Sequence, residues 1–329
     1  MLSSGQHKEL LYGVLDVFGV TPDYDLRVMS EGQSLASLTS RILLGTSNVI
    51  ERSGADILIV HGDTTTALAA TLAGFYAGVC VAHVEAGLRT NNILSPFPEE
   101  YNRRAIALTA SYHFAPTEAA RQSLLGEGVN DGRIFVTGNT VVDALQKTVK
   151  EDFRHPLLDW ADGRRIVFLT AHRRENASAL EGMLLAVREL AKREDVCFIY
   201  PVHPSPAVRK TAYRVLGNTD RVRLCEPFGV VECHNILARS YLVLTDSGGL
   251  QEEAAALRVP VFVMRDTTER QEGIEAGAAR LAGTQREGII RAVCALLDSK
   301  NEHAQMCAAK NPYGDGDACR RIADVLLAY

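Results

Sequence analysis

The 329-residue sequence has no apolar run approaching the roughly 20 residues that cross a bilayer. Its first residues, MLSSGQHKELL, lack the basic and apolar regions of a signal peptide. The net charge is -5, and Lys and Arg are spread along the chain rather than clustered, which argues against a nucleic-acid-binding face. We therefore expect a cytoplasmic protein that binds neither membranes nor nucleic acid.

The cysteines also show neither a disulfide pattern nor a metal-binding pattern. The seven cysteines are odd in number, form no C-x-x-C pair and mostly lie in apolar stretches typical of a protein core. Neither disulfides nor a zinc site are expected.

Common catalytic templates are missing as well. The sequence contains no G-x-S-x-G, no G-x-x-x-x-G-K-[ST], no H-E-x-x-H and no G-x-G-x-x-G. These absences argue against classical hydrolases and dehydrogenases.

What the sequence does contain is an alternation of short apolar runs with longer helical patterns. The runs are rich in Val, Ile and Leu, which is typical of parallel strands buried on both faces. The predicted strands lie at 56–60, 79–83, 112–115 and 133–136 in the first half and at 165–169, 196–200, 241–245 and 259–264 in the second. The sequence therefore predicts an α/β protein with two doubly wound, Rossmann-like domains.

A polar stretch over 147–164 separates the two series of strands, and we place the domain boundary near residue 155. The first domain then covers 1–155 and the second 156–313. The amphipathic helix within 314–329 can cap the second domain or cross back to the first, and we assign it to the first.

Polar side chains follow most of the predicted strands. In open α/β sheets ligands bind outside the carboxyl ends of the strands, so these residues are the first candidates for a site. Turns favour Gly and Asp, which explains one Gly-Asp pair after a strand but not polar residues after so many strands. With the common templates missing, the candidates for general acid and base work are Asp63, Glu85, Glu99 and His172. We expect an active cleft at these strand ends, between the two domains.

The segment TDSGGLQEEA places Ser247, Gly248 and Gly249 between a strand and a helix. Free backbone N–H groups and the helix dipole attract phosphate at such a position, and a diphosphate would suit it. The alternative is an ordinary tight turn with an N-cap serine. Glu253, further along the helix, can bind a ribose hydroxyl.

Two charged segments allow both a functional and a structural interpretation. Arg265 and Arg270 follow a strand and can bind an anion, although arginines flanked by acidic residues are also common on solvated surfaces. The run FPEEYNRR, with Glu99, Glu100 and Arg103, also fits a helix N-terminus enriched in acidic residues.

Five strings in sequence carry a family resemblance: HGDTTTALAA, HVEAGLRTNNILSPFPEEYNR, TGNTVVDAL, LTAHRREN and LTDSGGLQEEA. Together with PVHP and VMRDTTERQEG, they resemble the non-hydrolysing bacterial UDP-N-acetylglucosamine 2-epimerases over essentially the whole chain. The resemblance implies a glycosyltransferase-B-like fold, a homodimer, no metal or nicotinamide, and interconversion of UDP-GlcNAc and UDP-ManNAc. In the family, UDP is eliminated across C1 and C2 to give 2-acetamidoglucal and then re-added.

The resemblance also implies roles for individual residues. Asp63, Glu85, Glu99 and His172 would carry the acid and base steps, and which carboxylate serves which face of the sugar stays open. The substrate-binding residues implied by similarity, or by our hypothesis that two arginines stabilise the departing diphosphate, are Arg103, Arg173, Arg174, His203, Ser247, Gly248, Gly249, Glu253 and Arg270.

Members of the family usually begin with a strand that ends in a G-T-R-P-E loop, followed by a helix. Here MLSSGQHKELL corresponds to the next strand, so we expect one β-α unit of the family pattern to be absent. The loop supplies an arginine that lies, by resemblance, against the substrate diphosphate.

Smaller departures concern Cys233, where the family commonly has an aromatic residue beside the uracil, and Gln271, where proline is usual. A regulatory substrate site known in some members would involve Gln6, His7 and Arg174, with Glu9 replacing a usual glutamine.

Three alternatives stay open at this point. A glycosyltransferase of the same fold would need an acceptor groove, and HVEAGLRT and PFPEE argue against it. A catalytically impaired nucleotide-sugar-binding protein would bind without epimerising. An epimerase of a modified UDP-sugar would have the same UDP contacts.

Overall fold

The computed structural model describes residues 1–6, 8–30 and 32–328, with the side chains of residues 8–10 and 174 left outside the description. It divides into two compact units, 1–140 with 317–329 and 141–316. No helix of the described residues is long and apolar enough to span a membrane.

The first unit contains a four-stranded sheet and a separate two-stranded sheet, both parallel. Its elements are β1 (Leu2–Ser3), α1 (Lys8–Val17), β2 (Tyr24–Asp25), α2 (Leu35–Ser53), β3 (Ile57–His61), α3 (Thr65–Tyr76), β4 (Cys80–Val84), α4 (Glu99–Thr109), β5 (Tyr112–Ala115), α5 (Glu118–Gly126), β6 (Ile134–Val136) and the start of α6 (Thr140–Thr148). The strand order is β3-β4-β5-β6, with β1 paired to β2.

The second unit contains a six-stranded parallel sheet in the order β12-β11-β10-β7-β8-β9. Its elements are the rest of α6, then α7 (Pro156–Ala161), β7 (Arg165–Thr170), α8 (Leu180–Leu190), β8 (Val196–Pro201), α9 (Pro206–Leu216), β9 (Val222–Cys225), α10 (Val230–Ala238), β10 (Leu242–Thr245), α11 (Gly248–Ala256), β11 (Val261–Val263), α12 (Gln271–Glu275), β12 (Ala279–Leu281), α13 (Arg286–Asp298) and α14 (Lys300–Cys307). The last helix, α15 (Ala318–Leu327), lies in the first unit.

Both faces of the central strands are buried, which explains the continuous apolar runs. Along β7, Val167 and Leu169 join one apolar cluster, while Ile166 and Phe168 join the cluster on the opposite face. Because successive side chains of a strand point to opposite faces, a strand covered on both sides needs an apolar residue at every position. All eight strands predicted from the sequence are present, which confirms the parallel α/β fold class.

The division between the units falls at 140/141, ahead of the position near 155 expected from the sequence. The polar stretch after α6 is held by the second unit: Asn235 Oδ1 accepts from the backbone N–H of Lys150 (2.8 Å), and Asn235 Nδ2 donates to the Thr148 carbonyl (2.7 Å). A polar stretch can therefore be an anchored segment instead of a linker. On the first unit, Ile322 of α15 packs in a cluster with Phe114, and Arg321 donates to the Thr137 carbonyl.

A cavity of about 740 Å³ lies within the first unit, lined by residues of β1, β3, α2 and α3 that include Leu2, Ile42, Thr46 and Val60. Within the described residues, β3 pairs only with β4 and forms an edge of its sheet. The expectation that a β-α unit of the family pattern is absent stays a prediction.

One glycine of the first unit is required by a close approach. Gly87 has φ +93°, and a Cβ at this position would lie 2.2 Å from the Ala120 carbonyl oxygen. We expect Gly87→Ala to lower the free energy of unfolding by about 3 kcal/mol, because both the backbone conformation and the contact become unfavourable. Urea unfolding monitored by circular dichroism measures the change.

Gly54 provides the matched control. It also has a positive φ (+61°), but a Cβ added there would have no neighbour within 4 Å, so Gly54→Ala should cost only about 1 kcal/mol of backbone strain. Equal losses in the two variants would show that the contact with Ala120 is unimportant.

Candidate functional site

The loops after β3 and β4 bring a histidine and a carboxylate together. His61 Nε2 lies 3.3 Å from Glu85 Oε2, and Glu85 adopts a left-handed backbone conformation (φ +63°) that is unusual for glutamate. Beneath them, buried His83 donates from Nε2 to the Gly62 carbonyl (2.8 Å), and burial lowers the pKa of His83 to about 4. This neutral histidine fixes the loop after β3.

The first turn of α4 meets the loop after β3 at Asp63. Arg103 Nη2 lies 3.2 Å from Asp63 Oδ2, and Asn102 Nδ2 donates to the Asp63 carbonyl oxygen (2.8 Å). Glu99 begins α4, and its carbonyl accepts from Arg103 Nε at 3.4 Å. Arg103 is 5% exposed, and its Nη1 has no hydrogen-bond partner among the described residues. A buried guanidinium nitrogen without a partner is suited to a ligand oxygen.

Glu100 sits behind this pair and is fully buried. Its Oε1 accepts from Arg104 Nε at 3.0 Å, and its Oε2 accepts from the Thr90 N–H at 3.0 Å and lies 3.5 Å from Arg103 Nε. One buried carboxylate thus holds two arginines and the loop before α4. Of the two neighbouring glutamates in the sequence, Glu100 is the structural one.

In the second unit, the carboxylate of Asp246 organises the loop after β7. Its Oδ2 accepts from the backbone N–H groups of His172 and Arg173, both at 2.9 Å, and from Asn176 Nδ2 at 3.3 Å. Its Oδ1 lies 3.3 Å from His172 Nδ1. The His172 ring stacks on His203 with a 5.1 Å centroid separation and a 5° interplanar angle. Burial, and then His203 and Arg173, lower the pKa of His172 against the opposing effect of Asp246.

A cluster of three arginines surrounds a second buried carboxylate. Glu269, 3% exposed, accepts from Arg265 (2.7 Å) and Arg270 (2.8 Å) and lies 3.4 Å from Arg173. Burial acts to raise the pKa of Glu269, but the three guanidinium groups lower it to about 2. Arg265 also pairs with Glu175 (2.8 Å) and Arg270 with Glu252 (2.8 Å), so the three arginines are matched by three carboxylates.

This cluster lies against the N-terminus of α11. A Cβ at Gly248 would be 2.8 Å from Glu269 Oε1 and 3.2 Å from Arg270 Cζ, so a larger residue would require these two side chains to shift. Ser247 is the N-cap of α11, but its side chain makes no capping hydrogen bond. The N–H groups of the first helical turn, which include Gly249, are available to an anion next to the arginines.

A third buried group is the pair of Glu253 and His234. Glu253 Oε2 lies 3.6 Å from His234 Nε2, and His234 Nδ1 lies 2.7 Å from Thr148 Oγ1. Burial, together with the neighbouring charge of Glu252, raises the pKa of Glu253 to about 7, and burial lowers that of His234 to about 4. Glu253 is therefore a carboxylate that titrates near neutral pH.

The structure brings most of the predicted residues into two groups, one in each unit. In the first unit these are Asp63, Glu85, Glu99 and Arg103, and in the second they are His172, Arg173, His203, Ser247, Gly248, Gly249, Glu253 and Arg270. The side chain of Arg174 lies outside the description, as do His7 and the side chain of Glu9 in the predicted regulatory set. That the two groups face each other across a cleft stays a prediction.

Sequence reasoning assigned no role to the residues that hold these side chains in place. They are Glu100, His234, Asp246, Glu252 and Glu269. The available signal was a carboxylate directly beside a predicted site residue, as in Glu99-Glu100 and Glu252-Glu253. Among the described residues, no group of three or more His, Cys, Asp or Glu is placed to hold a metal ion.

Parallel α/β units, with a cluster of arginines at a helix N-terminus, are features of enzymes that handle nucleotide-linked substrates. The family model described as UDP-N-acetylglucosamine 2-epimerase matches residues 1–327, and the chain belongs to this family.

Individual relatives agree with this assignment. A UDP-N-acetylglucosamine 2-epimerase of Bacillus subtilis is 49% identical over 326 residues, which cover 98% of this chain and 86% of the relative. That of Escherichia coli K12 is 45% identical over 336 residues, covering 98% and 89%.

Solved structures extend the similarity to three dimensions. S. aureus MnaA with UDP superposes with a TM-score of 0.93 at 42% identity, covering 97% of this chain and 86% of that one. The UDP-GlcNAc 2-epimerase from Neisseria meningitidis bound to UDP-GlcNAc gives 0.92 at 39% identity, covering 98% and 90%. These neighbours have the glycosyltransferase-B-like architecture that the sequence predicted.

The raised pKa of Glu253 has a consequence for stability. Between pH 4.5 and about 7 the folded protein keeps a proton that an unfolded glutamate has lost, so stability falls as pH rises through this window. Glu253→Gln removes the buried charge, and we expect it to raise the free energy of unfolding at pH 8 by up to about 3 kcal/mol. Urea unfolding at pH 5 and pH 8 measures the effect.

Glu118→Gln serves as the control, because the Glu118 side chain is 61% exposed and its pKa is lowered by Gln122 and Arg121. It should give no gain at pH 8. An equal gain for Glu253→Gln at both pH values would contradict the assignment of a buried charge.

Proposed function

We propose that this protein interconverts UDP-N-acetylglucosamine and UDP-N-acetylmannosamine. The observation that carries the proposal is the cluster of Arg173, Arg265 and Arg270 around Glu269 at the N-terminus of α11. Its guanidinium groups, together with the N–H groups at the start of α11, can donate hydrogen bonds to a departing diphosphate. Family membership and the relatives solved with UDP and UDP-GlcNAc support the choice of substrate.

The reaction we propose is an elimination followed by an addition. A base removes the proton from C2 while the bond from C1 to the UDP oxygen breaks, which leaves a C1–C2 double bond in 2-acetamidoglucal. An acid then protonates C2 from the opposite face, and the UDP oxygen re-forms its bond to C1. UDP is thus both leaving group and nucleophile, so its site must hold it throughout.

Acid and base roles fall to Asp63, Glu85, Glu99 and His172. A reaction on two faces of one carbon requires two acid–base groups in different surroundings. Asp63 pairs with Arg103 and Glu85 pairs with His61, so each carboxylate has its own charged or titratable neighbour. Arg103 Nη1, buried and unpartnered among the described residues, would donate to a substrate oxygen.

The remaining substrate contacts belong to the second unit. Ser247, Gly248, Gly249 and Arg270 would hold the diphosphate at α11, and we assign Arg174 to the same anion by family resemblance. Glu253 and His203 would contact the UDP moiety, with Glu253 accepting from a ribose hydroxyl when it is ionised.

We further propose a homodimer. Leu44 of α2, Phe75 of α3 and Leu108 of α4 are 63%, 61% and 90% exposed, on three helices that pack side by side. Large apolar side chains exposed on adjacent helices are typical of a protein–protein interface. A cytoplasmic location also stays a proposal.

The direct test is proton NMR of UDP-GlcNAc incubated with the protein in deuterated water. We expect UDP-ManNAc to form and deuterium to replace the proton at C2 in both sugars, because the C2 proton is exchanged with solvent. Absence of both products, with UDP still bound in calorimetry, would favour the alternative of a catalytically impaired nucleotide-sugar-binding protein. If the protein epimerised a modified UDP-sugar but not UDP-GlcNAc, the alternative of an epimerase for a modified UDP-sugar would be favoured.

Variants of the same protein complete this test. Glu85→Gln keeps the shape of the side chain and removes its charge, so the rate of deuterium incorporation should fall at least about 100-fold. Glu118→Gln, on the exposed face of α5, should leave it unchanged. Equal rates in both variants would exclude Glu85 from the chemistry.

A further inference from the structure

One oxygen of the buried carboxylate of Asp246 has no hydrogen-bond partner among the described residues. Asp246 is fully buried, and its Oδ2 is well satisfied by two backbone N–H groups and Asn176. Its Oδ1 makes no hydrogen bond, yet His172 Nδ1 lies 3.3 Å away. An unpaired buried carboxylate oxygen is costly, so a proton on Nδ1 directed at Oδ1 is the arrangement that removes the cost.

The ring of His172 is also held on its face. His203 stacks on it at 5.1 Å with the two planes 5° apart, and His203 is in turn fixed because its Nδ1 accepts from the Ser205 N–H at 3.1 Å. A carboxylate at one ring nitrogen and an imidazole on the ring face leave little freedom of rotation. The described residues make no hydrogen bond to the other nitrogen, Nε2.

We propose that Asp246 is a positioning residue that keeps His172 in the tautomer protonated at Nδ1 and presents Nε2 to the substrate. His172 Nε2 then accepts a hydrogen bond or proton when the ring is neutral and donates when the ring is charged. The tautomer is inferred from the 3.3 Å separation of Nδ1 and Oδ1, whereas its effect on turnover rests on the function proposed for His172.

The charges around the ring favour the neutral state. Three groups face it: Asp246 at the end of β10, His203 after β8, and Arg173 in its own loop. Burial, His203 and Arg173 disfavour a second proton, and only Asp246 favours it. Asp246 therefore has two effects: it selects the tautomer, and it raises the pKa of His172 against the lowering by burial, His203 and Arg173.

The first experiment is proton–nitrogen correlation NMR of the histidine rings in the wild-type protein, with His172 assigned from the spectrum of His172→Gln. Such spectra distinguish a protonated ring nitrogen from an unprotonated one. We expect the neutral His172 ring to carry its proton on Nδ1. A proton on Nε2 would overturn the proposal, and this measurement depends neither on a foldable variant nor on any activity.

The second experiment uses Asp246→Asn. The new amide can still accept from the two backbone N–H groups, but its N–H₂ would face Nδ1 and favour the opposite tautomer. We expect kcat for UDP-GlcNAc epimerisation to fall at least about 100-fold, with KM changed less than about threefold. In the NMR spectrum, the proton of the neutral His172 ring should move to Nε2, and the titration midpoint of the ring should fall. UDP binding and the thermal midpoint should stay near wild type.

Asp298→Asn, which removes a 61%-exposed carboxylate paired with Arg193, is the control and should change none of these quantities. Unchanged kcat in Asp246→Asn with the tautomer reversed would overturn the positioning role. If the wild type itself does not epimerise, the tautomer in its spectrum still decides the structural part of the proposal, and the proposed function fails separately.

Discussion

Burial of both faces of the central parallel strands is the constraint on which the rest of this structure depends. Strands such as β7 and β8 have no solvent-facing side, so polar residues are excluded from their lengths and collect where the strands end. Parallel strands all end at the same edge of a sheet. Asp63 and Glu85 in one unit, and His172, His203 and Asp246 in the other, therefore lie on neighbouring loops within each unit.

Close behind those loops, buried carboxylates hold the positively charged side chains. Glu100 holds Arg103 and Arg104, and Glu269 holds Arg265 and Arg270 with Arg173 nearby. A buried ion pair adds little net stability, because desolvation offsets much of the attraction. It does fix the orientation of the two side chains. The arginines are thereby fixed before any ligand arrives, which lowers the entropic cost of binding an anion.

Among the strands of the described residues, the sequence identified β3 to β8, β10 and β11 and missed β1, β2, β9 and β12. β9 (Val222–Cys225) and β12 (Ala279–Leu281) each contain an arginine, and β1 and β2 have two residues each. Strands at the edge of a sheet are partly solvated, so they need no continuous apolar run. The domain division near 155 was also placed by polarity, whereas hydrogen bonds to Asn235 tie that stretch to the second unit.

By itself, the sequence determined the parallel α/β class, the eight predicted strands and the candidate residues beyond several of them, because apolar runs and the polar residues that end them are local patterns. Only the tertiary structure decided which partner each of those residues has. Asp246 and His172 are 74 positions apart, and Arg173 and Glu269 are 96 apart. The orientation of a buried charged side chain depends on the groups packed around it, and no local sequence pattern contains that information.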